Sequence, residues 1–275
     1  LQLEAVACKD WLTNKVDRSV TGKVAMQQTV GPLQLPLNNV AITALDYIGR
    51  KGMATSIGHA PIPGLIDSGK GSLLSVAESL TNLVWAPLTH GLSGVSLSAN
   101  WMWPSKNPGE DARLYKAVEA VSDFCVKLGI NIPTGKDSLS MTQKYPTGEK
   151  VTAPGTVIIS SVAEVEDLSK AVDPVLKDVM ESKVLYIDFS GDEFELGGSS
   201  LAQVLNKVGE KAPNVSDPEY FMNSFNAIQA LISNQKLLAG HDVSAGGLIT
   251  TLLEMTFASN QTGMNIDLDG LRSWI

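Results

Sequence analysis

Residues 94–129, GVSLSANWMWPSKNPGEDARLYKAVEAVSDFCVKLG, set a strand before a helix, and that pairing decides the fold class. GVSLSANW (94–101) has the β-rich, alternating character of a strand. From Pro108 the pattern changes to helix. Pro108 sits early, Glu110 and Asp111 favour the positive end of a first turn, and Gly129 follows Leu128 as a stop. Working outward, NNVAITALDYIG (38–49) and GTVIISSVAEV (155–165) read as strands, and SLLSVAESLTNLVWA (72–86) places Leu73, Leu74, Ala77, Leu80 and Val84 near helical spacing. Strands and helices therefore alternate, and the expected class is α/β (α+β), with mixed sheets and packed helices.

A composition shift follows at EDLSKAVDPVLKDVMESK (166–183), which is charged and contains Pro174. A boundary near residue 175 divides the chain into 1–172 and 176–275. In the second part VLYIDF (184–189) and GMNIDL (263–268) read as strands. SSLAQVLNKVG (199–209), PEYFMNSFNAIQALISNQKLL (218–238) and AGGLITTLLEMTFAS (245–259) read as helices. The chain opens on Leu1 and stops at Trp274–Ile275 after a strand-like stretch, which reads as a piece of something longer.

The 275 residues are 44% hydrophobic and 18% charged, so a packed core is expected. A formal charge of -8 argues against a nucleic-acid partner, which calls for a basic face. It leaves room for phosphates, which backbone N–H groups and a bridging cation can hold. Two cysteines, Cys8 and Cys125, show no pairing motif and suit a reducing cytosol. No apolar run is long enough for a bilayer. His59, His90 and His241 have no metal spacing.

Several polar groups stand out. In AGHDVSAGGLI (239–249), a strand ending at HDV before a helix would put Ser244 at the helix N-cap with Asp242 beside it. That end can receive a phosphate, with Asp242 on a bridging divalent cation; equally, both residues can be ordinary caps. Glu78 and Asn82 are four apart and share a helix face. With Asp242 they offer oxygen ligands that suit Mg²⁺; alternatively they form a hydrogen-bonded polar strip. PTGKDSLSM (133–141) reads as a loop in which Lys136 and Ser138 can meet a phosphate, or as a plain turn; it is no Walker A loop.

Taken together, DRSVTGKVAMQQTVGPLQLPLNNVAIT (17–43), SIGHAPIPGLIDSGKGSLLSVAESLTN (56–82), LSANWMWPSKNPGEDARLYKAV (97–118), IPTGKDSLSM (132–141) and LLAGHDVSAGGL (237–248) resemble the large, single-chain phosphoribosylformylglycinamidine synthases. The resemblance covers nearly the whole chain. It implies the second half of a duplicated synthase core, built from aminoimidazole-ribonucleotide-synthetase-like N-terminal and C-terminal domains, the latter incomplete. It implies an ATP-dependent ligase that makes formylglycinamidine ribonucleotide in purine biosynthesis, with ammonia from a glutaminase domain. The chain alone is then expected to be inactive, and a homodimer of it stands in for the paired halves. The implied cofactors are Mg²⁺ and ATP or ADP. Glu78, Asn82 and Asp242 fall at metal positions, and Asn39 falls where the family usually has Asp. Asn38 and Ser244 fall at nucleotide positions and Lys9 near the phosphates. Gly135, Lys136 and Ser138 would face substrate and the partner half. Two alternatives remain: a non-catalytic Mg·nucleotide-binding structural module, and a stand-alone kinase of the thiamine-phosphate or selenophosphate type.

Overall fold

The computed structural model describes residues 1–7, 14, 18–259 and 262–267. Among these, the strands are β1 (Val24–Met26), β2 (Ala41–Ala44), β3 (Gly52–His59), β4 (Ser96–Met102), β5 (Asn131–Ser138), β6 (Thr142–Lys144), β7 (Lys150–Thr152) and β8 (Thr156–Val165). The helices are α1 (Pro61–Ile66), α2 (Ser68–Leu83), α3 (Glu110–Leu128), α4 (Ser200–Val204), α5 (Pro218–Ser233) and α6 (Gly247–Phe257). One mixed sheet runs β1-β2-β3-β8-β4-β5, and β6 and β7 form a separate hairpin.

The opening stretch behaves as its residues dictate. α3 begins after Gly109, with Glu110 and Asp111 in its first turn, and ends at Gly129 in the left-handed conformation at φ 69°. It carries the chain from β4 across to β5, which lies parallel to β4; the other pairings in the sheet are antiparallel.

One face of the sheet is buried. Val157, Ile159, Ala163 and Val165 of β8 and Leu97 and Ala99 of β4 meet Val76, Leu80 and Leu83 of α2 and Val121, Phe124 and Leu128 of α3. β3 contributes small inward residues instead, because α2 lies against its backbone. A Cβ on Gly58 would meet Ser75 O at 2.2 Å and Ser79 N at 2.3 Å. Beside it Ser56 Oγ donates to Ser79 O (2.6 Å) and meets Ser161 Oγ (2.5 Å), so the buried hydroxyls are paired. Cys125 of α3 is a free, buried thiol.

The same core crosses residue 175. Phe221 of α5 is fully buried and contacts Phe124 edge-on at 5.6 Å and Phe189 at 5.0 Å between ring centroids. Gln229 of α5 accepts from Leu88 N (2.9 Å) and donates to Val84 O (2.5 Å) and Ala86 O (3.0 Å).

Four local expectations are corrected. VLYIDF (184–189) forms no strand, and Leu185 is 68% exposed, because no described strand lies alongside to complete a ladder. The described part of GMNIDL (263–267) is likewise irregular. The helix expected over 199–209 is only Ser200–Val204, capped by the Ser199 side chain. The stretch 133–138 is strand rather than loop: it is the edge strand β5, where Pro133 is tolerated and Gly135 lets β4 approach, since a Cβ there would meet Ala99 O at 2.2 Å.

Candidate functional site

The oxygen-bearing residues singled out in the sequence come from three places. Asn38 and Asn39 precede β2, Glu78 and Asn82 lie on the second half of α2, and Asp242 and Ser244 lie on the segment entering α6. All six line one cavity of about 740 Å³, together with His241 and Glu254.

Glu78 is tied to β3 through His59 N–H, which donates to its Oε2 at 2.8 Å. Burial pushes the Glu78 pKa up to about 7; the His59 N–H works the other way, and the negative charge of Asp242 adds to the rise. Two carboxylates thus face each other across a sheltered space. Asn82 Nδ2 donates to Ile57 O (3.1 Å), which directs its amide without using its oxygen. Asn38 Nδ2 donates to Gln27 O (2.5 Å) and Thr29 O (3.2 Å), and its buried Oδ1 has no partner.

Asp242 is buried, 7% exposed. Behind it lies a polar chain. With its oxygen toward His241 Nδ1 (2.6 Å), the Asn39 amide would set like against like at both Trp85 and Asp242. Turned over, its oxygen accepts from Trp85 Nε1–H (3.0 Å) and its nitrogen donates to Asp242 Oδ1 (2.8 Å) and His241 Nδ1 (2.6 Å). This orientation satisfies Trp85 and Asp242 and gives up a 3.3 Å bond from the Asn39 amide nitrogen to Gly240 O. His241 Nε2 then donates to Glu254 Oε2 at 2.9 Å. Burial lowers the His241 pKa, the hydrogen bonds and charges of Asp242 and Glu254 raise it, and the balance lies at about 9. The amide geometry opposes that second proton, because Nδ1–H would confront the Asn39 N–H. Asp242 Oδ1, 3.2 Å from Nδ1, favours it, and the two carboxylates carry the balance toward the protonated ring.

The expected roles therefore separate. Glu78, Asn82 and Asp242 present two carboxylates and an amide oxygen. Asn39, at the fourth expected metal position, has its oxygen turned to Trp85. Ser244 is exposed on the cavity wall but is not the N-cap of α6. That position is Gly246, at φ 96°, because the glycine pair can take the left-handed backbone that shifts the start. Gly135, Lys136 and Ser138 lie on β5 and do not line the cavity, although Thr134 does; Lys136 Nζ donates to Ser138 Oγ (2.9 Å). Lys9 lies outside the described residues. Trp85 and Glu254 carry no sequence signal that marks them, since one follows α2 and the other lies inside an apolar helix.

Among the described residues no group of three or more His, Cys, Asp and Glu side chains gathers as a metal site. The fit for Mg²⁺ rests instead on two carboxylates and an amide oxygen. Mg²⁺ commonly takes one or two carboxylates and completes its octahedron with waters and phosphate oxygens.

Fold and site together define a mixed-sheet α/β chain with a cavity bounded by its sheet, α2 and the segment entering α6, into which oxygen-bearing side chains converge. The chain belongs to the FGAR-AT PurM_N-like domain family, whose model matches residues 8–164; residues 186–275 match the AIR synthase related protein, C-terminal domain. It is 46% identical over 98% of its length to human phosphoribosylformylglycinamidine synthase, of which it covers 20%. It is also 46% identical to the probable phosphoribosylformylglycinamidine synthase, chloroplastic/mitochondrial, of Arabidopsis thaliana, covering 98% of this chain and 19% of that one. The chain thus spans about a fifth of the curated relatives it matches. Among solved structures it shares its fold with T. maritima PurL complexed with FGAR, at TM-score 0.56 and 13% identity, over 83% of this chain and 34% of that one.

Proposed function

We propose that residues 1–275 are the part of a phosphoribosylformylglycinamidine synthase that holds a magnesium-bound adenine nucleotide. One observation carries the reading: Glu78 and Asp242, far apart in sequence, share one cavity, where the Asp242 charge raises the cost of ionising Glu78. Bound Mg²⁺ would neutralise that pair and bridge it to phosphate oxygens. Glu78, Asp242 and the Asn82 oxygen are the cation ligands. The Asn38 oxygen accepts from the nucleotide. The Ser244 hydroxyl takes a phosphate oxygen.

The site holds nucleotide rather than consuming it. Gly135, Lys136 and Ser138, the residues assigned to substrate, lie outside the cavity. Chemistry then takes place against the other half of the synthase core. There ATP activates the amide oxygen of formylglycinamide ribonucleotide, and ammonia from a glutaminase domain displaces phosphate. Lys9 approaches the nucleotide phosphates in this scheme. The two family matches, ending at 164 and starting at 186, support two domains meeting near residue 175. In isolation the chain pairs with a second copy in place of the other half. We assign it to the cytosol, whose reducing conditions suit the free thiol of Cys125; no helix among the described residues is long and apolar enough to cross a membrane.

Thermal unfolding tests the reading. Mg·ADP is expected to raise the melting temperature well beyond ADP in EDTA, while Mg²⁺ alone leaves it within error. At 100 times Kd the stabilisation is about 2.7 kcal/mol. Absence of any shift at millimolar Mg·ADP sinks the proposal. The chain by itself is expected to show no glutamine- or ammonia-dependent turnover; measurable product from it would overturn the division of labour.

A further inference from the structure

We propose that Asn39 and Trp85 are positioning residues for Asp242: the indole N–H sets the Asn39 amide, and the amide aims the Asp242 carboxylate into the cavity. The inference rests on the reading of that cavity as a magnesium–nucleotide site.

Asp242 lies between α5 and α6 on a stretch, residues 234–246, that has no helix or strand to hold it. Its backbone is pinned by three contacts. Gly240 N donates to Asp173 O (3.0 Å), and Thr251 Oγ1 donates to Asp242 O (3.0 Å). The Trp85 ring lies on Gly240 so closely that a Cβ would meet it at 2.0 Å. These contacts fix the main chain but not the carboxylate, whose Oδ1 is held by the Asn39 N–H at 2.8 Å, with His241 Nδ1 beside it at 3.2 Å.

An amide can present either end, and the wrong end would put an oxygen against the carboxylate. Trp85 Nε1–H, a donor with no acceptor capacity, sits 3.0 Å from the Asn39 oxygen and admits one orientation. Trp85 therefore acts twice, through its ring on the backbone of Gly240 and through its N–H on the side chain of Asn39. This is the arrangement by which outer groups orient metal ligands. It also gives Asn39 a role different from a ligand's, since its oxygen is engaged away from the cavity.

Aspartate at position 39 separates the two roles. If residue 39 is a ligand, Asn39→Asp adds charge and tightens Mg²⁺. If it positions, the same change removes the N–H and sets a carboxylate against Asp242. Calorimetric titration of the full chain with Mg·ADP, and with ADP in EDTA, measures this, with melting temperature recorded alongside. Asn39→Asp and Trp85→Phe are each expected to weaken Mg·ADP by about 10- to 100-fold, with the Mg²⁺-free ADP affinity unchanged. Tighter or unchanged Mg·ADP binding by Asn39→Asp overturns the proposal. So does a Trp85→Phe protein that binds like wild type, or one that loses Mg²⁺-free affinity equally. Trp85→Phe keeps most of the ring volume and decides the matter if Asn39→Asp does not fold. Asp242→Asn is the control: if it binds Mg·ADP like wild type, the nucleotide reading itself falls, a result distinct from failure of the positioning variants alone.

Discussion

Asp242→Asn is expected to lose Mg·ADP binding by at least about 100-fold, close to 2.7 kcal/mol, while the unliganded protein stays folded. The substitution keeps side-chain shape and removes one of the negative charges at the cavity. In the free protein that charge is a burden, because it faces Glu78 and helps push its pKa up to about 7. With the cation bound, the same charge becomes an attraction. Removing it relieves the empty site and weakens the filled one, so the two states must move in opposite directions. Melting temperature without ligand should hold or rise, and the Mg·ADP shift should vanish. A variant that loses both together would point to a carboxylate needed for folding. One that keeps its full ligand shift would remove Asp242 from the site.

The second large effect is structural. Phe221→Ala is expected to cost about 3–5 kcal/mol, the usual range for deleting a buried ring, and to lower the melting temperature by at least about 6 °C. Phe221 is fully buried and touches rings on both sides, Phe124 of α3 and Phe189 of the irregular segment before α4. Phe221→Leu, which retains most of the volume, should cost less than half as much. Urea unfolding followed by far-UV circular dichroism would show both. A midpoint unchanged by the alanine variant would mean that α5 is not anchored by this ring.

What could be read in the sequence depended on how local the cause was. The β4–α3 unit was legible because its strand pattern, acidic first turn and terminal glycine all lie within 94–129. β3 was not. Its inward residues are Gly52, Ala54, Ser56 and Gly58, the last of them small because α2 lies against it, so the large-apolar alternation that marks a strand is missing. β5 looked like a loop because an edge strand tolerates Pro133 and exposed polar residues. VLYIDF misled in the other direction: it has strand composition, but a strand also needs a neighbour, and composition does not supply one. Ser244 was placed one turn of reasoning too early, since Gly246 and Gly247, both at positive φ, move the helix start.

The site shows the same division. Residue chemistry pointed to Glu78, Asn82 and Asp242, because clustered oxygen ligands without histidine or cysteine suit a hard cation. Ser244 followed from its place before a helix, and the motif resemblance added Asn38 and Asn39. The supporting chain of Trp85, His241 and Glu254 was not singled out, because its logic is spatial. Asn39 and Asp242 meet only when the segment before α6 folds back onto the turn before β2. A pairing across some 200 positions leaves no periodic trace in one sequence.

The thiol buried in α3 has a practical consequence. Burial pushes Cys125 up to about 12, so at neutral pH it is almost wholly protonated as well as shielded. An alkylating reagent reaches it only when α3 lifts from the sheet. The rate at which that one sulfur is tagged, located by peptide mass, is thus a clock for breathing of the molecule's interior, running without any engineered label.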